Sequence, residues 1–232
     1  MKMLFCFNTF SRIVHEGEHD DKDHEQQYEV RDSHNGGACT SLTVWRKSLL
    51  LSCNGFTVID SKGNLIFRVD NYTGRPQEIV LMDASGKSVL TMHRRKKLGM
   101  MASSWLVYEG EVGEDCGRER RCSSTSKRPI FSIRKHTCNI LNWNPQHVLA
   151  YIYSNASDKR YAYVIEGSYK HRSCKVLDEF RKVVAETRKK EAINGGVGGV
   201  TFGAEVFQLI VYPGFEPGVA MALVLLLDQM FS

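Results

Sequence analysis

The chain has 232 residues, of which 42% are hydrophobic and 25% charged. That composition excludes fibrous, low-complexity and wholly disordered classes and leaves an ordinary globular protein, long enough for one large β domain. Its net charge of +5 is uneven: residues 1–29 hold three basic and seven acidic residues, net −4, so the remainder carries +9.

The first segment, Met1–Phe10, holds Met3, Leu4, Phe5, Cys6, Phe7 and Phe10, interrupted by Asn8 and Thr9. It is too short for a signal-peptide core, and Lys2 stands where myristoylation needs glycine. Two readings remain: a frayed terminus, or a short apolar anchor acylated at Cys6, whose single chain would give only marginal membrane binding. Ser11–Gln27 is polar, acidic and histidine-rich, with too little apolar area to offset the entropy of ordering. We therefore expect residues 1–39 to be a largely disordered tail. His15, His19 and His24 lack the cysteine partner and rigid spacing of a metal site, so neither metal nor cofactor is expected.

From residue 40 to 232 the pattern is strand, turn, strand. Runs rich in β-branched and aromatic residues lie at Leu42–Trp45, Phe56–Asp60, Leu65–Asp70, Glu78–Met82, Val89–His93 and Trp105–Glu109. A second set follows at Ile130–Arg134, Asn139–Trp143, Val148–Tyr153, Tyr161–Glu166, Ser173–Leu177, Val183–Thr187 and Val206–Val211. One turn unit recurs: Asp60-Ser61-Lys62-Gly63 and Asp83-Ala84-Ser85-Gly86 both open on Asp and reach Gly three residues on, where left-handed backbone favours glycine. Val176-Leu177-Asp178 begins alike but lacks the glycine. These are hairpins of one meander, about a dozen strands in all. Gly195–Gly199 does not open a helix and reads as a flexible connection, not a phosphate loop.

The chain closes on a wholly apolar segment, Val219–Leu227, set between Pro217-Gly218 and Asp228-Gln229. A helix that is apolar all round must be buried in protein or in a membrane. Over about residues 217–230 it measures roughly 20–24 Å at ~1.5 Å per residue, short of the ~30 Å hydrocarbon core. It is therefore predicted to lie inside a closed barrel whose strands leave no free edge, and no transmembrane span is expected.

The runs Leu42–Leu50, Asn54–Val58, Asn64–Tyr72 and Leu81–Gly86, with Gly167-Ser168-Tyr169, Arg172–Val176 and the closing Ala220–Asp228, resemble the plant LURP-one-related family. The resemblance spans residue 42 to the end. It implies a mainly β fold of the tubby C-terminal and phospholipid scramblase type: a closed β-barrel of twelve strands around a central hydrophobic C-terminal helix. It also implies a link to plant defence and, by analogy with tubby-like proteins, to membrane-tethered, phosphoinositide-linked signalling. The acidic tail, the basic insert Arg118–Arg128 and Gly195–Gly199 lie outside the matched segments.

Candidate sites follow from charge. Arg94-Arg95-Lys96-Lys97 is the densest basic run and reads either as a lipid head-group contact or as a solvated strand end. Ser123, Ser124 and Ser126 lie among Arg118, Arg120, Arg121, Lys127 and Arg128, where phosphorylation would cancel positive charge, or where the loop is only an exposed connection. For catalysis, His136 and Cys138 share one strand face but have no third group to orient them. Trp45, Trp105, Trp143, Tyr151, Tyr153, Tyr161 and Tyr163 read as barrel packing rather than a base-stacking platform. The seven cysteines, Cys6, Cys39, Cys53, Cys116, Cys122, Cys138 and Cys174, are odd in number and form no CxxC pair. Reduced thiols and a cytoplasmic, peripheral plasma-membrane or nuclear location are expected, not secretion.

The expected function is that of a non-catalytic regulatory or binding protein. Its partner would be an anionic phospholipid or phosphoinositide surface, or an unidentified protein. Two alternatives are a scramblase-like lipid-handling protein and a nucleic-acid-binding regulator; no reader motif supports the second.

Overall fold

A computed structural model describes residues 37–51, 53–70, 77–95, 104–112, 127–136, 148–155, 158–190 and 203–232. Twelve strands are found there: β1 (Thr40–Trp45), β2 (Phe56–Ile59), β3 (Leu65–Val69), β4 (Glu78–Asp83), β5 (Ser88–Arg95) and β6 (Ser104–Glu109), then β7 (Phe131–Lys135), β8 (Val148–Tyr153), β9 (Tyr163–Ser168), β10 (Ser173–Leu177), β11 (Val183–Lys189) and β12 (Val206–Val211). One helix, α1 (Pro217–Phe231), ends the chain. Each strand pairs antiparallel with its sequence neighbours, and β1 closes the ring on β12 from Thr40↔Val211 to Trp45↔Val206. The predicted barrel is thus the observed one. Strand bounds agree within a residue or two, and the predicted strand Asn139–Trp143 lies outside the described residues.

The period-2 pattern explains the packing. Along β1, Leu42 and Val44 are buried while Thr43 and Trp45 face outward. Phe207, Leu209 and Val211 of β12 point inward, with Gln208 outside, its amide donating to Ser41 Oγ at 2.7 Å. Small barrels fill with side chains alone, but a ring of this size holds a helix of ~10–12 Å diameter. Helix α1 fills it: every residue from Ala220 to Asp228 is buried, against Trp105, Phe56, Ile133 and the other inward side chains. Pro217 in the first turn presets the helical φ and needs no N–H partner there.

The repeated turn is real, and so is its third copy. Asp60 Oδ1 accepts from Lys62 N and Asn64 N, both at 2.8 Å, with Gly63 at φ 87°. Asp83 Oδ1 accepts from Ser85 N at 2.9 Å and Lys87 N at 3.0 Å, with Gly86 at φ 88°. Asp178 Oδ1 accepts from Phe180 N and Lys182 N at 2.9 Å, and Arg181 holds the glycine position at φ 64°. Its guanidinium meets Glu166 through two bonds, 2.7 and 3.0 Å, which offset part of that strain.

Candidate functional site at the helix C-terminal end of the barrel

An up-and-down barrel gathers alternate loops at its two ends. The β2–β3, β4–β5, β8–β9 and β10–β11 turns lie where α1 begins. The β1–β2 and β9–β10 turns, with the end of β5 and of β7, lie where α1 stops. Lys135 confirms the second grouping: from the last position of β7 its Nζ donates to Met230 O at 2.7 Å and sits 4.3 Å over the Phe231 ring. A cation there also suits the negative end of the helix dipole.

The last turn of α1 carries one acid, Asp228, which is 1% exposed. A carboxylate at a helix C-terminus opposes the dipole, so it needs partners. Tyr169 of the β9–β10 turn donates its hydroxyl to Oδ1 at 2.7 Å, and Ser232 Oγ does so at 2.7 Å. Arg46, one residue past β1, reaches Oδ2 at 3.2 Å and also approaches Glu205 at 3.7 Å. Burial first, and then the Asp228 charge, push the Tyr169 hydroxyl far above the usual phenol range, so it remains a donor. Next to it Arg172, 5% exposed and at φ 53°, lies between the Tyr169 and Phe207 rings at 4.3 and 4.5 Å, its Nε donating to Ala204 O. This cluster fastens the helix end to β1 and to the β9–β10 turn. Sequence reading missed it. Its one signal was an acid that abruptly ends an apolar run.

Around this plug lies a cationic rim. Arg94 and Arg95 are the exposed last residues of β5, opposite Trp105 and Ser104. Lys47, Lys135 and Lys189 are exposed at the same end. Lys96 and Lys97 lie outside the described residues, as do Cys6, Ser123, Ser124, Ser126, Cys138, Trp143 and Gly195–Gly199. Lys127 is described: its Nζ donates to Glu109 O at 3.1 Å and Glu111 O at 2.8 Å at the opposite end. Arg94 and Arg95 therefore lie at the opposite end of the barrel from Lys127. Glu205 and Asp228 meet Arg46, Asp70 meets Arg68 at 2.9 Å, and Glu78 lies 3.6 Å from His93.

Two aromatics depart from the packing expectation. Trp45 is 44% and Tyr161 39% exposed, because both lie on the outer face or at a strand end, whereas Trp105 is buried as expected. His136 stacks edge-on against Tyr151 at 5.5 Å. Burial raises the Cys174 thiol to about 11, away from the thiolate that nucleophilic or metal chemistry needs. No group of His, Cys, Asp and Glu fit to hold a metal occurs among the described residues.

The sequence profile of the LURP-one-related family matches residues 40–228. Protein LURP-one-related 17 of Arabidopsis thaliana is 48% identical over 225 residues, covering 96% of each chain. Protein LURP-one-related 8 of the same plant is 47% identical over 197 residues, 84% of this chain and 88% of its own. An X-ray structure of another Arabidopsis thaliana protein matches with a TM-score of 0.54 at 22% identity, over 82% of this chain and 90% of that one, a likeness of fold. A profile match from the first strand into the last turn of the helix, with relatives of this identity, means that the chain belongs to the LURP-one-related family.

Proposed function

We propose that this protein is a non-catalytic regulatory module that docks on an anionic phospholipid surface, phosphoinositides included, through the helix C-terminal end of its barrel. The carrying observation is the cationic rim: Lys47, Arg94, Arg95, Lys135 and Lys189 are exposed together at this end of the barrel. Cations near an anionic bilayer contribute about 1 kcal/mol each, and a rim on one end lets several act together. A buried thiol with a raised pKa and a histidine stacked on tyrosine support a binding role over an enzymatic one. By its family the module would serve plant defence signalling as a peripheral membrane component. The alternative of a lipid-moving protein loses its motive: α1 is enclosed by strands, and no helix among the described residues is long and apolar enough to cross a membrane.

The test is co-sedimentation with phosphatidylcholine vesicles, with and without phosphatidylserine or phosphoinositide, at low and physiological salt. An Arg94→Ala/Arg95→Ala variant should bind anionic vesicles on the order of thirtyfold more weakly, from ~2 kcal/mol, with an unchanged melting transition. Equal binding by variant and wild type would move the search to protein partners.

A further inference from the structure

We infer that the β1–β2 loop, Leu49-Leu50-Leu51, is a membrane-inserting tip that enters the acyl boundary of an anionic bilayer while the cationic rim holds the head groups. This rests on the lipid-docking reading above and adds to it an apolar element, the residues that form it and a depth. The three leucines are 50%, 48% and 94% exposed, and Trp45 beside them is 44% exposed. Their exposure is built in. Leu50 N donates to the buried Ser48 Oγ at 3.0 Å, Cys53 N donates to Leu50 O at 3.3 Å, and Thr57 Oγ1 donates to Lys47 O at 2.7 Å. Behind the loop, a Cβ at Gly55 would lie 1.8 Å from Val69 O and 3.1 Å from Ser48 Cβ, so the chain leaving the loop is pressed against β3 and against Ser48.

The chemistry of the patch favours lipid over a protein partner. Leucine is under-represented among protein–protein hot spots, and Leu49, Leu50 and Leu51 offer only aliphatic side chains. Amphipathic membrane-binding surfaces combine an apolar tip, tryptophan at head-group depth and flanking cations. All three are present. Lys47 Nζ lies 5.2 Å over the Trp45 ring. Lys189 and Lys190 rise two strands away, Lys190 Nζ donating to Thr43 Oγ1 at 2.9 Å. Arg46 is turned the other way, onto Asp228, and anchors the loop's root to the helix end.

The test uses the full chain, vesicles of phosphatidylcholine with phosphatidylserine, and the same vesicles with brominated acyl chains. We expect Leu49→Ser/Leu50→Ser/Leu51→Ser to keep the wild-type melting transition, as all three are solvent-facing. Its partitioning at physiological salt should fall on the order of a hundredfold. Bromine should quench tryptophan emission of the wild type, and Trp45→Phe should lose that quenching. Unchanged partitioning of the triple variant, with emission indifferent to bromine, would overturn insertion and leave docking by charge standing. Equal binding to vesicles of phosphatidylcholine alone, with quenching kept, would overturn the charge reading and leave insertion standing. Wild-type protein that sediments with neither vesicle overturns both.

Discussion

Where α1 begins, the carboxylates are structural. Hydrogen bonds from Asn64, side chain first and then backbone, hold Asp60 below the ordinary carboxylate range, and the Ser85 hydroxyl does the same for Asp83. Asp178 closes the third such turn and Glu166 is paired with Arg181. Where α1 stops, Asp228 locks the helix to the barrel, and exposed cations and leucines lie at the rim. Both ends are built from the same hairpin meander. At one end three Asp side chains are bonded to the backbone of their own turns, and at the other Asp228 is bonded across the barrel to β1 and the β9–β10 turn. Charge count alone would not separate them; what each charge is bonded to does.

The largest effect should come from severing what joins the ends. Leu225→Asp would place a carboxylate in the middle of α1, where every neighbour is apolar and Leu225 is wholly buried. An unpaired buried charge costs several kcal/mol against a net stability of ~5–15, so no cooperative melting transition should remain by circular dichroism. A soluble variant with a wild-type transition would mean that α1 does not sit in the barrel.

Asp228→Asn tests the plug alone. The amide can still accept from Tyr169 but loses the charge that Arg46 faces, so a loss of about 1–3 kcal/mol in urea unfolding is expected, with the barrel still folded. An unmoved midpoint would demote the cluster to surface decoration.

Arg181→Gly probes the opposite end and should do least. Removing a side chain from φ 64° relieves about 1–2 kcal/mol, while the half-exposed pair with Glu166 contributes about 0.2–1. The difference leaves stability equal to wild type or higher by up to about 2 kcal/mol. A loss would show that the ion pair, not the Asp-led backbone turn, holds that hairpin.

Much of the fold was legible along the chain because its signals are local. Period-2 burial, the Asp-to-Gly turn spacing of Asp60–Gly63 and Asp83–Gly86, and the apolar run Val219–Leu227 each announce their element within a few residues. The third turn was half visible: Asp178 was in place, but nothing nearby says that Arg181 accepts a positive φ, since Glu166 lies on another strand. The basic run was seen as charge and its first two residues do lie on the rim. The leucine tip was not seen: Leu49–Leu51 follow the first strand after Arg46-Lys47-Ser48, and nothing local says which way a leucine in a turn faces.

The sequence by itself determined the alternation of strand and turn, the apolar helix, and hence that the helix must be enclosed, because burial follows from which residues are apolar. Which charges share an end was decided only by the tertiary structure. Arg46, Tyr169 and Asp228 are far apart in the chain and meet because ring closure and helix insertion bring three elements to one place. Trp45 and the three leucines face out for the same reason: register against β12 and the hydrogen bonds of one short loop assign each side chain its face, whatever its hydrophobicity.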